Sequence, residues 1–278
     1  MENIIISNPD ELNQKIEIIK SDGIDNLHVV SDFDRTLTKC FVNGEKHSTS
    51  FSILVKGSFA TEENNKKYYG LFEKYYPFEI GNYPMDFKIK KMQEWWSKYM
   101  NIMIESGLNK EIAEKLSEEV ICELREKTSE MLNLLHEDKI PLLIFSAGMG
   151  DFITKIMNSG DNNFDNIHII SNFMDFEEDG SLKGFKNNIV HVFNKSEVQL
   201  KSSPYLEEIK ERKNVILLGD SLGDLGMISG IEHDNVIKIG FLNENVEELI
   251  DTYKKEFDVV ITDDGSMEYA LSLIKGLK

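Results

Sequence analysis

The chain reads as an α/β protein: an open, doubly wound parallel sheet with an inserted helical cap. Three features point there. Short apolar runs recur along the chain, helical stretches separate them, and residues 45–136 contain no run of that kind. The runs are "LHVVSD" (27–32), "PLLIFSA" (141–147), "IHIIS" (167–171), "NVILLGD" (214–220), "NVIKIG" (235–240) and "FDVVIT" (257–262). Their apolar residues are continuous rather than alternating, which is how strands covered on both faces of a parallel sheet read. Strands that alternate with helices argue for an open sheet with helices on its faces.

From the N-terminus, "MENIIISNPDELNQ" reaches acidic residues quickly. It lacks a basic segment followed by a long apolar one, so no secretory leader is expected. The run at 27–32 is the first expected strand. Beyond it, "NKKYYGLFEKYYPFEI" is aromatic and polar, and "KKMQEWWSKYMNIMIESGL" is helical in pattern. Leu108, Ile112, Leu116, Val120 and Leu124 form a helical stripe within 108–135. The reading is therefore a core of 1–44 and 137–278 interrupted by a helical cap, 45–136. Within the resumed core, "NSGDNNFDN" (158–166) is a turn-rich loop. Ser203 and Pro204 occupy N-cap and N1 positions of a helix. Asn243 is the expected N-cap of "NENVEELIDTYKKE", which carries acids in its first turn.

Of the 278 residues, 49 are acidic and 31 basic, a formal charge of −18. A protein that held nucleic acid by charge would show the opposite balance, and an anionic membrane surface is excluded on the same ground. An anionic substrate would need positive charge supplied locally, by a metal ion or a few placed lysines. Cys40 and Cys122 lack metal-ligand spacing and cannot form a disulfide framework, which fits a reducing compartment. No apolar run is long enough to span a bilayer. A cytoplasmic protein is expected.

Active sites of open α/β sheets lie beyond the carboxyl ends of the strands. Four polar clusters fall at such positions: Asp32 and Asp34 after "HVVS", Ser146 after "LLIF", Lys195 after "IVHVFN", and Asp220 with Asp224 in "GDSLGD". Converging carboxylates need a counter-cation, and hard oxygen ligands suit Mg²⁺. Mg²⁺ attracts phosphate, and a serine hydroxyl and a lysine can hold its remaining oxygens. Each residue also has a structural reading. Asp32 alone is a plausible turn or cap aspartate, Ser146 could cap a helix starting near Asp151, and Asp224 could cap "LGMIS". Their joint occurrence favours chemistry.

The order Asp32-Phe33-Asp34-Arg35-Thr36, Ser146, Lys195, then Asp220 and Asp224 resembles the haloacid dehalogenase superfamily of phosphohydrolases. "SDFDRTLT", "FSAGMGD", "SNFMDF", "KGFK", "HVFNK", "LLGDSLGDLGM" and "KIGFLN" narrow the resemblance to the cytosolic pyrimidine 5′-nucleotidases, including their 7-methylguanosine-phosphate-specific relatives. The resemblance implies a haloacid dehalogenase-like core. In it Asp32 is the nucleophile that becomes an aspartyl-phosphate. Asp34 protonates the leaving 5′-oxygen, later activates water, and lends its backbone carbonyl to the metal. Asp32 and Asp220 are side-chain metal ligands, with Asp224 in support. Ser146 and Ala147 bind phosphate, and Lys195 neutralises developing charge. In the cap, Glu79 of "YYPFEI" matches the glutamate that reads the base, and Trp96 the aromatic that stacks on it. Neighbouring Trp95 is assigned to packing. The chain departs from the pattern where Tyr99 and Met100 replace a small residue and a histidine, which leaves the preferred base open.

The expected activity is Mg²⁺-dependent hydrolysis of nucleoside 5′-monophosphates such as CMP and UMP, and of 7-methyl-GMP. Its rivals are a phosphatase for another small phosphomonoester such as phosphoserine, and a protein that binds a nucleotide without turnover. Residues suited to a nucleophile and an acid argue against the last.

Overall fold

The computed structural model describes residues 3–56, 59, 61–119, 122–195 and 203–278. Its centre is a seven-stranded sheet. The strands are β1 (Ile4–Ile6), β2 (Leu27–Ser31), β5 (Leu142–Met149), β6 (Ile167–Asn172), β9 (Asn214–Gly219), β10 (Asn235–Leu242) and β11 (Val259–Thr262), in the order β1-β11-β10-β9-β2-β5-β6. All neighbours are parallel except β1, which pairs antiparallel with β11 at the edge. The six expected strands are all present. The three-residue edge strand β1 was not anticipated, because "III" is too short to carry a periodicity.

Every residue of β2 and β9 is buried, as continuous apolar runs require. Alternate residues face opposite layers. Leu27 and Val29 join one core with Leu12 and Ile19 of α1 (Pro9–Asp22), Leu132 and Leu135 of α6 (Thr128–Glu137), Ile153 of α7 (Gly150–Ser159) and Leu271 of α10 (Glu268–Gly276). Val30 joins the other with Tyr205 of α8 (Pro204–Glu208) and Met227. The order steps one way from β2 to β5 and β6, and the other way to β9, β10 and β11. The reversal beside β2 makes the switch point at which such sheets bind ligands.

Between β2 and β5 lie a hairpin of β3 (Phe41–Val42) and β4 (Glu45–Lys46), then α2 (Ile53–Lys56), α3 (Glu62–Ile80), α4 (Met85–Glu105) and α5 (Lys110–Glu119). Their apolar faces form a separate cluster around Tyr68, Tyr75, Trp95, Tyr99 and Leu116. A hairpin of β7 (Met174–Phe176) and β8 (Leu182–Phe185) packs onto it through Met174 and Leu182. The stripe read from Leu108 to Leu124 is not one helix. It ends with α5, Val120 lies outside the described residues, and Leu124 pairs with Thr38 in an isolated bridge. Lys39 N–H donates to Glu123 O (3.0 Å) and Arg125 N–H to Leu37 O (2.8 Å). The exit of the insertion thus runs against its entry, a long-range pairing that local apolar spacing does not reveal. α6 then packs on the sheet, not on the helical block.

Asn243 is not the N-cap of α9 (Val246–Glu256). Asn245 takes that position, in a left-handed conformation with φ 53°. The Asn243 side chain instead donates to Arg35 O (3.0 Å) and accepts from Arg125 (3.1 Å). At Ser203 the expectation holds: its hydroxyl accepts from Tyr205 N–H, with Pro204 opening α8.

Candidate active site

Asp32 and Asp34 lie just beyond β2, Ser146 lies inside β5, and Asp220 follows β9, so these three strands bring the expected residues to one end of the sheet. The fourth group, Lys195, arrives on an irregular loop. Asn194 shapes that loop, its side chain accepting from His191 N–H (2.7 Å) and donating to Ile189 O (2.8 Å). Asn172, at the end of β6, ties it to β5: its amide donates to Ala147 O and Val190 O (both 2.9 Å) and accepts from Val190 N–H (2.8 Å).

Lys195 Nζ bonds both Asp32 Oδ1 and Asp224 Oδ1, the latter at 2.8 Å. All three side chains are nearly inaccessible to solvent. Asp224 belongs to a 3₁₀ turn over Leu222–Ile228. Its other oxygen accepts from the N–H (3.0 Å) and hydroxyl (2.8 Å) of Ser221, which fixes it in place. Gly219 permits the close fold-back, since a Cβ there would meet Asp224 Cβ at 2.6 Å. Oxygen atoms from Asp32, Asp220 and Asp224 lie within 4.8 Å of one another. Asp224, expected only in support, therefore stands in the acid cluster itself.

Burial dominates the electrostatics. It pushes the Asp32 carboxyl up to about 7, opposed by Lys195 and helped by Asp224. Asp220 is raised well above the usual carboxylate range by burial, then by repulsion from Asp32 and Asp224. Burial alone would lower the Lys195 ammonium, but Asp224 and Asp32 outweigh it and hold the group protonated. One lysine thus faces more negative charge than it can neutralise. A hard, multiply charged cation would relieve the remainder and keep the carboxylates ionised, and an all-oxygen donor set suits Mg²⁺.

Asp34 is set apart from this cluster. Its Oδ1 accepts from Ser50 N–H (2.7 Å) and its Oδ2 from the Ser50 hydroxyl (2.6 Å). Burial raises its carboxyl, and these two bonds oppose the rise. The loop carrying it is tightly clamped. Arg35 has φ 65°, a left-handed conformation that costs about 1–2 kcal/mol for a residue with a Cβ. Its carbonyl accepts from Arg125 (2.5 Å) and Asn243 (3.0 Å). Arg125, 2 % exposed, also donates to Thr36 O (2.9 Å), Gly265 O (2.6 Å) and Asp264 (2.9 Å).

The Ser146 hydroxyl is buried and accepts from Gly148 N–H (3.0 Å). It is not the cap of α7, a position held by Met149. Glu79 and Trp96 stand in the helical block. Burial raises the Glu79 carboxyl, with Lys88 opposing. Trp96 is half-buried, edge-on to Phe51 with ring centroids 5.0 Å apart. Trp95 is 7 % exposed and stacked on Tyr75, the packing role expected of it.

Sequence reasoning missed Ser50, Gly148, Asn172 and Arg125. Gly148 and Asn172 sit inside stretches already singled out, "FSAGMGD" and "SNFMDF". Ser50 and Arg125 have no motif around them and act only through distant partners.

A family model for pyrimidine 5′-nucleotidase (UMPH-1) matches residues 35–278. The 7-methylguanosine phosphate-specific 5′-nucleotidase A of Xenopus laevis is 37% identical over 269 residues, covering 96% of this chain and 93% of that protein. The Homo sapiens 7-methylguanosine phosphate-specific 5′-nucleotidase is 36% identical, covering 98% and 91%. Among solved structures, cytosolic 5′-nucleotidase IIIB bound to cytidine superposes with a TM-score of 0.87 at 31% identity, covering all of this chain and 95% of that one. A substrate-bound phosphoserine phosphatase, at 17% identity and a TM-score of 0.53, shares the fold.

Proposed function

The chain belongs to the pyrimidine 5′-nucleotidase family, and we propose that it hydrolyses nucleoside 5′-monophosphates through an aspartyl-phosphate formed on Asp32. The observation that carries this reading is the buried Lys195 bound to both Asp32 and Asp224, beside Asp220 and next to a separately held Asp34. One lysine between two carboxylates lets the first face a phosphate without being repelled from it.

In the first step an Asp32 oxygen attacks phosphorus, the bond from phosphorus to the 5′-oxygen breaks, and Asp34 gives that oxygen a proton. In the second, Asp34 takes a proton from water, water attacks phosphorus, and the Asp32 carboxylate is released. Lys195 offsets charge building on the phosphoryl oxygens. The Ser146 hydroxyl and Ala147 N–H hold those oxygens in line. Asp32, Asp220 and the Asp34 carbonyl would hold Mg²⁺, with Asp224 behind them or as an added ligand. When bound, Mg²⁺ supplies positive charge that screens the carboxylates from the phosphate.

Residues 45–136 would act as a cap whose closure excludes water during transfer, with α6 seated on the core. Glu79 offers acceptors for the amine of cytosine or the N–H groups of a guanine edge. The half-buried Trp96 face would stack on the base. The relatives named for 7-methylguanosine phosphate and the neighbour that binds cytidine support CMP and 7-methyl-GMP as the better substrates. No described helix is long and apolar enough to cross a membrane, and the cytosolic names of two relatives support a cytoplasmic location.

Phosphate release from CMP, UMP, 7-methyl-GMP, GMP and AMP, with and without Mg²⁺, tests the reading. Turnover should stop on chelation and return with added Mg²⁺. Full activity in excess chelator, or AMP as the best substrate, would sink the metal or base assignment respectively.

A further inference from the structure

We infer that Ser50 is the positioning residue for the acid–base group, so that the helical insertion, and not the catalytic loop alone, sets where Asp34 can deliver its proton. The inference rests on the reading of Asp34 as the group that protonates the leaving oxygen.

Ser50 is fully buried. It lies between β4 and α2, at the entry to the insertion. Its N–H and hydroxyl take both oxygens of Asp34, at 2.7 and 2.6 Å. Two donors on one residue fix the rotation of the carboxylate as well as its position, as a bidentate contact does. The hydroxyl is itself oriented. Met149 N–H donates to Ser50 Oγ at 3.3 Å, which leaves the hydroxyl proton free to point at Asp34. Gly148 completes the arrangement, because a Cβ there would stand 1.9 Å from Ser50 Oγ and 2.9 Å from Asp34 Oδ2. Phe51, the next residue, packs on Tyr99 at 4.8 Å and edge-on to Trp96 at 5.0 Å. Ser50 is thus seated by the same aromatic cluster that carries the candidate base-stacking residue.

The chemistry makes the role separable from simple packing. Protonation of the leaving oxygen matters when that oxygen leaves as a poor alkoxide, as in a nucleotide. It matters little when the product is a stable phenolate. An acid held loosely should therefore cost alkyl phosphates far more than aryl phosphates with good leaving groups. The parameter kcat/KM isolates this step, since it reports events up to the first irreversible one and omits hydrolysis of the phospho-enzyme.

The test compares wild type with Ser50→Ala on CMP, a simple alkyl phosphate, phenyl phosphate and p-nitrophenyl phosphate, with thermal unfolding of both proteins alongside. Ser50→Ala keeps the backbone N–H bond and removes the hydroxyl. It should lower kcat/KM on CMP and the alkyl phosphate about 10- to 100-fold, a part of the 10²–10⁴ that a positioned acid contributes, while p-nitrophenyl phosphate loses less than about 3-fold. Ser50→Thr, which restores a hydroxyl, should recover part of the loss on CMP. Equal losses on all four substrates would mean that Ser50 only supports the fold and overturn the inference, as would no loss on CMP. A wild type that cleaves the alkyl and aryl phosphates but no nucleotide would overturn the nucleotidase reading and leave Ser50 to be judged on the alkyl–aryl contrast. A wild type inactive on all four overturns both.

Discussion

Asp32 and Asp34 are two residues apart, yet they sit in different surroundings. Lys195 holds the first and Ser50 the second. In the proposed reaction one is the nucleophile and the other the acid, and their neighbours are what separate them. Asp32→Asn keeps the shape and loses the attacking oxygen, so turnover should fall below a tenth of wild type while the circular dichroism spectrum is unchanged. Residual activity above that level would falsify the covalent role. In the proposed base site, Glu79 and Trp96 would act on affinity. A cation–π contact to 7-methylguanine adds about 0.5–2 kcal/mol, depending on desolvation, so Trp96→Ala should raise KM for 7-methyl-GMP by roughly 2- to 30-fold and for CMP by less. Glu79→Ala should weaken both nucleotides and spare p-nitrophenyl phosphate. Initial-rate measurements on the three substrates decide. If Trp96→Ala leaves every nucleotide unaffected, Trp96 belongs to the aromatic cluster alone.

At the level of elements, the entry and exit of the insertion meet the catalytic loop at Arg125. Its guanidinium serves the carbonyls of Arg35, Thr36 and Gly265 and the carboxylate of Asp264, and lies over the Phe241 ring at 4.4 Å. Asp264 in turn accepts from Cys40 N–H and Phe41 N–H, both at 2.9 Å. One largely buried pair, the buried Arg125 with a partly exposed Asp264, therefore joins the loop after β2, both linkers of the insertion and the turn after β11. Removing one partner of such a pair leaves an unpaired buried charge and costs about 3–5 kcal/mol. Arg125→Ala should lower stability in urea by that order and reduce kcat as the left-handed Arg35 relaxes. Arg125→Lys should rescue little, since an ammonium cannot span the same fork of acceptors. A loss below about 1 kcal/mol in Arg125→Ala would show that the clamp is dispensable.

Across the whole molecule, stability should depend on pH through buried histidines that take no part in the proposed chemistry. His28 is fully buried on β2, with Nδ1 bonded to the Tyr205 hydroxyl (2.7 Å) and its ring 5.2 Å from His233. Burial, then His233 and Arg212, holds its pKa down to about 3, and burial holds His191 near 4. An unfolded histidine titrates near 6.5. Between about 3 and 6.5 the unfolded chain therefore binds more protons, and stability falls as pH drops through that window. The contribution of His28 is about 1.4 kcal/mol per pH unit at its steepest. Carboxyls raised by burial, Asp32 and Asp220 among them, act with the opposite sign, so the contribution of His28 is read as a difference: between pH 7 and pH 5 the wild type should lose more stability in urea than His28→Gln. An unchanged slope in that variant would assign the dependence to other groups.

Six strands, the helical character of the insertion and the gathering of Asp32, Asp34, Ser146, Lys195, Asp220 and Asp224 at one end of the sheet were legible from the chain alone. The reason is physical. A strand buried on both faces must be apolar throughout, and groups that act on phosphate must stand where such strands end. Each leaves a local mark of composition and spacing. Other features depend on partners far along the chain and leave no such mark. Ser50 meets Asp34 only because the insertion folds back over β5, and Arg125 reaches Asp264 across 139 residues. Asn243, a plausible cap by its neighbours, is drawn away by Arg35 and Arg125. Its local preference is worth about 1 kcal/mol, and tertiary hydrogen bonds to a buried guanidinium outweigh it. The sequence by itself determined the sheet and the polar residues gathered beyond the ends of its inner strands. Only the tertiary structure decided which residues hold them in place, because such contacts exist only once distant segments are packed together.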